Sequence, residues 1–550
     1  MNDMPWAEAG PALGIASTHG WDTAYGIRFA SVNAAIAAKG SSPADFDHTD
    51  TSGGETTRIF GTFDAWSITG GSGHILEMRV PIPSFTYEPD GQPAVTRSDA
   101  VAVIAVELEA IPQPGATTGN DHALKIRLPN RSNASVSVTS FGYPGSEADG
   151  SIPSIVRLLL QAWMRVADNL ARFNHTFAVV NLNGKAAVGA LQWVMPTYLS
   201  YGVVAAGAED GVLAVLCMTE ERSPPPDSTV SVELVPPGVT AAFLISKERY
   251  LSKMVLPGLG FMFSEPSDKQ GRKWPDDYFE LAGNGTMLRN SFDIAIDSFR
   301  TEHGDVRATM AAGQMTVTLE DVYLELRMTG FTHPYREGWF NAVHAITSRL
   351  QATVDKNQKF ILMPSTGDAG TPIIHHRAVL EKTPLAQAVD YVIFAIEIAA
   401  FVIPLGRLAY ARYAGAAAEA TAAGAQVAAD VAQVGPATVE AAEVALAEGA
   451  VAVAEAAEQG AVTLNKFLVF NSKIVHGAGM LALGGIALSL EAFQRIATST
   501  NMAAEEIPDI TAFVTGIMTP VQWPEAEAEF HVDRLAFNGG LHVIGTPVGG

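Results

Sequence analysis

Chemistry in this chain would have to come from a few places. His375 and His376 are adjacent histidines, a residue type that ligates metals. Neighbours on a strand point to opposite faces, so the two would not readily share one ion. Glu220-Glu221 and Asp276-Asp277 are acidic pairs of the kind used in acid–base work, yet both lie in turn-like stretches near prolines. Catalysis needs a partner at a defined spatial separation, so these pairs read as solvated turns. Gly184-Lys185 lacks the upstream glycine of a phosphate-binding loop and is followed by Ala186. Gly70-Gly71-Ser72-Gly73 lies between strand-like runs without the helix a nucleotide-binding loop requires, and reads as a hairpin turn. Metalloprotease, EF-hand and nucleophile-elbow patterns do not occur. Cys217, the single cysteine, falls in the apolar run 212–218 and reads as an inert buried thiol. No catalytic residue, metal ligand or cofactor site is assigned, and the expectation is a protein that is not an enzyme.

Composition points the same way. At 550 residues the chain exceeds the size at which single cores stop growing, so two or more domains are expected. Only 17% of residues are charged, against a usual ~25%, and 48% are hydrophobic. The surplus apolar surface needs a large core, a ligand-lined interior, an oligomer interface or membrane contact. A net charge of −23 repels phosphate backbones and anionic surfaces, which disfavours nucleic acid as a partner. One cysteine excludes an intrachain disulfide framework and a cysteine-based zinc cluster. The opening MNDMPWAEAGPALG has no basic start and no continuous apolar stretch, so no standard secretory signal is expected. Synthesis in the cytoplasm is the default, with release by lysis or a leaderless route left open.

The elements that would position functional residues follow from periodicity. Residues 22–39 read as a helix capped by Asp22, with Tyr25, Phe29, Val32 and Ile36 on one stripe and Gly40 as its stop. Residues 41–57 are polar and loop-like, and 59–141 strand-like, most clearly at 101–111 and 135–139. Residues 154–173 form the clearest amphipathic helix. Val156, Leu159, Trp163, Val166, Leu170 and Phe173 make its apolar stripe. Arg157, Gln161, Arg165, Asp168 and Arg172 make the opposite face, Asp168 and Arg172 being a well-oriented pair. Strands are expected at 176–182, 230–235 and 240–245. Ser246 then caps a short helix over 247–254. Further strands are expected at 292–299, 315–328, 359–363, 530–535 and 541–544.

The order helix, strands, helix, strands occurs twice, which suggests duplication with a boundary near Ser246. Domains are therefore expected at 14–245 and 246–550. A helical insertion spans about 384–500, and within it the acidic, Ala-rich segment 414–463 carries no Lys or Arg. Residues 391–407 and 474–490 are apolar but shorter than the ~20 residues that a spanning helix usually needs. They read as a buried helical hairpin, with reversible bilayer insertion as the alternative.

Several segments together resemble a known family. They are Gly20-Trp21-Asp22-Thr23-Ala24-Tyr25-Gly26, Phe63-Asp64-Ala65-Trp66-Ser67-Ile68, Pro81-Ile82-Pro83, Phe173-Asn174-His175-Thr176-Phe177-Ala178, residues 213–220 (LAVLCMTE) and residues 242–249 (AFLISKER). Their order resembles the clostridial P-47 protein family of toxin gene clusters, placed in the TULIP (tubular lipid-binding) superfamily, over about residues 20–256. The resemblance implies an elongated α+β fold of two TULIP-like domains, highly twisted antiparallel sheet wrapped on helices, with an apolar groove between. It also implies lipid binding and an accessory role beside a secreted toxin.

Burial contributes roughly 25 cal/mol per Å² of apolar area, so an acyl chain can bind in such a groove without specific polar contacts. The expected lining is Tyr25, Phe29, Val156, Leu159, Trp163, Val166 and Leu170. The expected partner is a lipid or fatty acid. A toxin-complex protein or a membrane surface is the alternative. Arg157, Arg165 and Arg172 are either a headgroup patch or an ordinary solvated helix face.

Overall fold

The computed structural model describes residues 14–382 and 521–549, apart from 52–53, 114–120, 131–134, 183–191, 208–209, parts of 257–269, 296–298, 302–303, 307–308, 336–339, 355–359, 365–373 and 524–525. The helical insertion 384–500, its Ala-rich part and both apolar stretches lie outside the described residues. Among the described residues the fold is mainly antiparallel sheet with a few short helices.

The largest sheet has 12 strands. Its path runs Asp45–Asp50, Thr57–Thr62, Ile75–Glu88, Ser67–Gly73, Pro196–Gly207, Asp210–Thr219, Thr23–Arg28, Ala241–Ser246, Gly540–Gly549 and Ala526–Phe537. Val95–Val106 pairs with Ile75–Glu88, and Val136–Gly142 pairs with Val95–Val106. The last two strands on the path come from the far end of the sequence. They complete the sheet of the first half, across the 245/246 division expected from element order.

Peripheral strands alternate. In Ile75–Glu88, Leu76, Met78, Val80 and Ile82 point inward while their neighbours are half-exposed. The central strands Thr23–Arg28, Asp210–Thr219 and Ala241–Ser246 are buried on both faces. One face adds Tyr25, Ile27, Val215, Cys217 and Phe243 to a large apolar core. That core continues through Leu288, Val317, Leu326 and Leu350 of a nine-stranded sheet built from residues 279–382. The second face carries Ala24, Ala214, Leu216, Ala242 and Leu244 under Ala16, Trp21, Leu234 and Val235. Small side chains let the cover come close: a Cβ on Gly26 would stand 2.7 Å from Val235 Cγ2.

Several sequence expectations are corrected. Thr23–Arg28 is strand, not helix, and Asp22 is a bend before it. Thr23–Arg28 is hydrogen-bonded on both sides, to Asp210–Thr219 and Ala241–Ser246, and this pairing overrides the helical spacing of Tyr25 and Phe29. Helix α1 is Phe29–Lys39, and Gly40 ends it with φ of 55°. Within 41–57, Asp45–Asp50 is an edge strand whose charged side chains protect an open edge. The helix expected over 154–173 breaks into α2 (Ile152–Met164) and α3 (Ala167–Leu170). Asn169 Nδ2 donates to the Trp163 carbonyl at 3.0 Å, competing with helical continuation, and Val166 is extended. Arg172 pairs with Asp45 at 2.7 Å rather than with Asp168. Residues 232–234 are a 3₁₀ turn lying over the second sheet face, not a strand. Of the strand expected at 292–299, Ile294–Ala295 is strand, residues 296–298 lie outside the described residues, and Phe299 begins the strand Phe299–Thr301. Helix α4 (Lys247–Tyr250) is capped as expected, Ser246 Oγ accepting from the Arg249 amide.

Cys217 is fully buried at the middle of the sheet, and burial pushes its thiol far above the usual range. A thiol-alkylating reagent at neutral pH is expected to leave the native chain unlabelled and to label one site in denaturant, as read by intact mass. Labelling of the native chain at the denatured rate would remove Asp210–Thr219 from the sheet centre.

Candidate ligand-binding site

Helix α2 lies along the open edge of the Val136–Gly142 strand and also contacts Asp45–Asp50 and Thr57–Thr62. Gln161 Oε1 accepts from the Val138 amide, Gln161 Nε2 donates to the Val136 carbonyl at 3.0 Å, and Arg157 donates to the Val138 carbonyl at 3.3 Å. These polar residues satisfy the backbone of a strand that has sheet on one side only. Arg157 and Gln161 are thus edge covers as well as a helix face. Arg165 is exposed.

The apolar side of α2 meets an aromatic cluster. The Trp163 ring lies 5.3 Å from Phe63 and 6.3 Å from Phe46. Phe63 meets Trp66 edge-on at 5.5 Å, and Trp66 stacks on Phe173 at 5.0 Å. His175 packs edge-on against Phe177 at 5.0 Å, and its Nδ1 lies 3.2 Å from Ser41 Oγ. Burial first, and then the charges of Lys39 and Lys125, push the His175 imidazole down to about 4. It is neutral at pH 7.

Of the expected lining residues, Tyr25, Phe29, Val156, Leu159, Trp163 and Leu170 are closed from solvent and belong to one apolar core. Tyr25 reaches it from a strand, its ring 4.5 Å from Phe243. Val166 does not join them: it sits at the break between α2 and α3 and is 44% exposed, and Leu158 on the outer side of α2 is 61% exposed. The spacing that placed Val166 in the stripe holds only while the helix runs unbroken.

A second constellation lies where the central strands end. Asp22 Oδ2 accepts from the amide and the hydroxyl of Thr219 at 2.9 and 2.8 Å, and its Oδ1 accepts from Arg222 at 2.8 Å. Arg222 also pairs with Glu248, and Arg249 and Lys253 both pair with Glu220 at 2.7 Å. Burial pushes the Glu220 carboxyl up, but the hydrogen bonds from Lys253 and Arg249 outweigh it and leave it below the usual value. Glu220 is an exposed turn residue, as expected, that also takes part in two ion pairs, and Asp22 is not a helix cap. Among the described residues no group of three or more His, Cys, Asp or Glu could hold a metal ion. Also among them, no helix is long and apolar enough to cross a membrane.

Both constellations draw residues from the segments that carried the resemblance: Phe63, Trp66, Phe173 and His175 in the first, Asp22, Thr219, Glu220 and Arg249 in the second. The family model described as OrfX-like, Protein OrfX2/OrfX3/P47, matches residues 18–360. The chain belongs to this OrfX-like family. Protein OrfX3 of Paraclostridium bifermentans is 26% identical over 348 residues, 57% of this chain and 68% of that protein. Protein OrfX3 of Clostridium botulinum (strain Kyoto / Type A2) is 26% identical over 350 residues, again 57% of this chain and 68% of the relative. The crystal structure of P47 of Clostridium botulinum E1 shares the fold, with a TM-score of 0.54 at 13% identity, over 96% of this chain and 99% of that one. The OrfX-like match takes in the aromatic cluster and the Asp22 network alike. Single-residue periodicity missed Phe46 and Phe63 as partners of Trp163, and Trp66 as the link from Phe63 to Phe173. The concentration of aromatics in FDAW and FNHTF is a signal for Phe63, Trp66 and Phe173, but not for Phe46, which lies outside both.

Proposed function

We propose that this OrfX-like chain works by binding rather than catalysis, taking the acyl part of a lipid or a fatty acid beneath α2 and α3. The observation that carries the reading is the interrupted cover: one apolar core runs through both large sheets, and the helix closing it breaks at Val166. With Trp163 and Leu170 closed from solvent, a ligand enters only when α3 lifts. Each methylene it buries contributes about 0.8 kcal/mol, enough in sum to offset such a movement. Two TULIP-like units and an accessory role beside a toxin belong to the same proposal. Both are supported by the resemblance to P-47 proteins of toxin gene clusters.

A second reading is an interaction partner of a toxin complex, without bound lipid. The filled interior around Trp163 and the exposed Leu158 and Val166 favour it. Solvent extraction of gently purified protein, with mass analysis of the extract, is expected to release fatty acid or phospholipid in near-stoichiometric amount. A labelled fatty acid is expected to bind saturably without turnover. If no lipid is recovered and binding does not saturate, the carrier reading fails and the interaction reading replaces it.

A further inference from the structure

The second face of the central sheet is covered not by a helix or another sheet but by chain segments, residues 230–235 and 14–21. The fastening of the latter is unusual in its logic. Asn538 Oδ1 accepts from the Ala16 amide at 3.4 Å, and Asn538 Nδ2 donates to the Gly14 carbonyl at 3.3 Å. A backbone N–H can only donate and a carbonyl only accept, so the orientation of the Asn538 amide is fixed. Its Nδ2 also faces His542 Nδ1 at 3.3 Å, so that Nδ1 must accept. His542 Nε2 lies 2.8 Å from the Leu234 carbonyl and must donate. The fully buried ring is thereby held in one neutral tautomer with both nitrogens satisfied.

We propose that His542 and Asn538 form a proton-operated latch that holds segment 14–18 over the second sheet face and releases it in acid. A proton added at His542 Nδ1 would point at the Nδ2 hydrogens of Asn538. The amide can meet it with oxygen only by rotating, and rotation sets donor against donor at Ala16 and acceptor against acceptor at Gly14. The contact is close, since a Cβ on Gly539 would stand 1.7 Å from the Ala16 carbonyl oxygen, so the segment has no room to adjust in place.

The charged groups near the latch are Arg534 on the neighbouring strand, which acts on the ring, Glu233 on the covering turn, whose side chain lies against Gly14, and Arg28, which reaches the Val235 carbonyl. Glu233 is the one acidic group among these three. Burial first, then Arg534, pushes the imidazole down to about 4, against the raising effect of the bond to Leu234.

The sign follows. The latched state has the depressed pKa, so it is fully held above the ordinary value of about 6.5 and weakens as pH falls from there towards 4. Release withdraws Ala16 from the apolar cluster of the second face and frees the contact over Gly539, while residues 230–235 stay in place. The inference does not depend on the lipid reading.

Hydrogen exchange by mass spectrometry on the full chain tests it, with rates corrected for intrinsic pH dependence. Opening of residues 15–21 is expected to rise about 20-fold between pH 7 and pH 5. In His542→Gln, whose amide still donates to Leu234 but takes no proton, the rise is expected to vanish. In Asn538→Ala the segment is expected to be open already at pH 7, with little further dependence on pH. Equal protection of the wild type at both pH values overturns the latch. So does the same rise in His542→Gln, which would move the effect to another group such as His175. If His542→Gln does not fold, Asn538→Ala decides: protection unchanged at pH 7 overturns the proposal.

Discussion

Trp163→Ala is expected to cost about 3–5 kcal/mol of stability. The residue is 1% exposed, so no space wide enough for water adjoins the ring. Phe46 and Phe63 pack on it, and the Arg172 guanidinium stands 5.9 Å over it. Truncation removes the buried area and leaves a cavity that three separate elements would have to collapse to fill. The measurement is urea unfolding, with a lower midpoint at unchanged slope. The same number bears on the ligand reading. A ring bordering an open channel already lacks partners on one side, and its loss costs less. A cost under about 2 kcal/mol would therefore contradict the closed packing described above. A full cost requires that any ligand displace α3 to enter.

The sequence showed strand and helix where local pattern and tertiary pairing agree. Leu76, Met78, Val80 and Ile82 alternate because one face of their strand is buried. It misled where they disagree. Tyr25, Phe29, Val32 and Ile36 have helical spacing, yet Tyr25 lies on a strand buried on both faces, and such a strand has no alternation to read. Val166 fell out of its stripe because one side chain, Asn169, ends α2 early. The joining of strands 526–549 to the first sheet is a long-range pairing that no local window contains.

The site was legible in a different way. No single motif announced chemistry, but the order of short segments did carry the family. The structure gives that order a physical reason. FDAW and FNHTF meet through Trp66 and Phe173, while GWDTAYG, LAVLCMTE and AFLISKER lie on three adjacent strands. Residues far apart in sequence were recognisable together because they pack together.

Asp22 is where those three strands are tied, and Asp22→Ala is expected to cost about 3–5 kcal/mol, as for breaking a buried charge pair. The backbone of Asp22 already bridges its neighbours: its amide donates to Cys217 and its carbonyl accepts from Ser246. The buried carboxylate adds Thr219 and Arg222. Removing it strands the Thr219 amide and hydroxyl in a site closed from water, each a desolvated donor without an acceptor. Asp22→Asn keeps the shape and one acceptor but turns an NH₂ group towards either Thr219 or Arg222, so it should fall between wild type and Ala. Arg222→Ala is expected to cost less than Asp22→Ala, because Arg222 is half-exposed and Asp22 retains both Thr219 donors. This ordering separates a buried network from a surface ion pair, whose removal would cost at most about 1 kcal/mol from either side. Denaturant unfolding of the three variants reads it directly, and equal small losses at Asp22 and Arg222 would show that the carboxylate is not what joins α4 to the sheet.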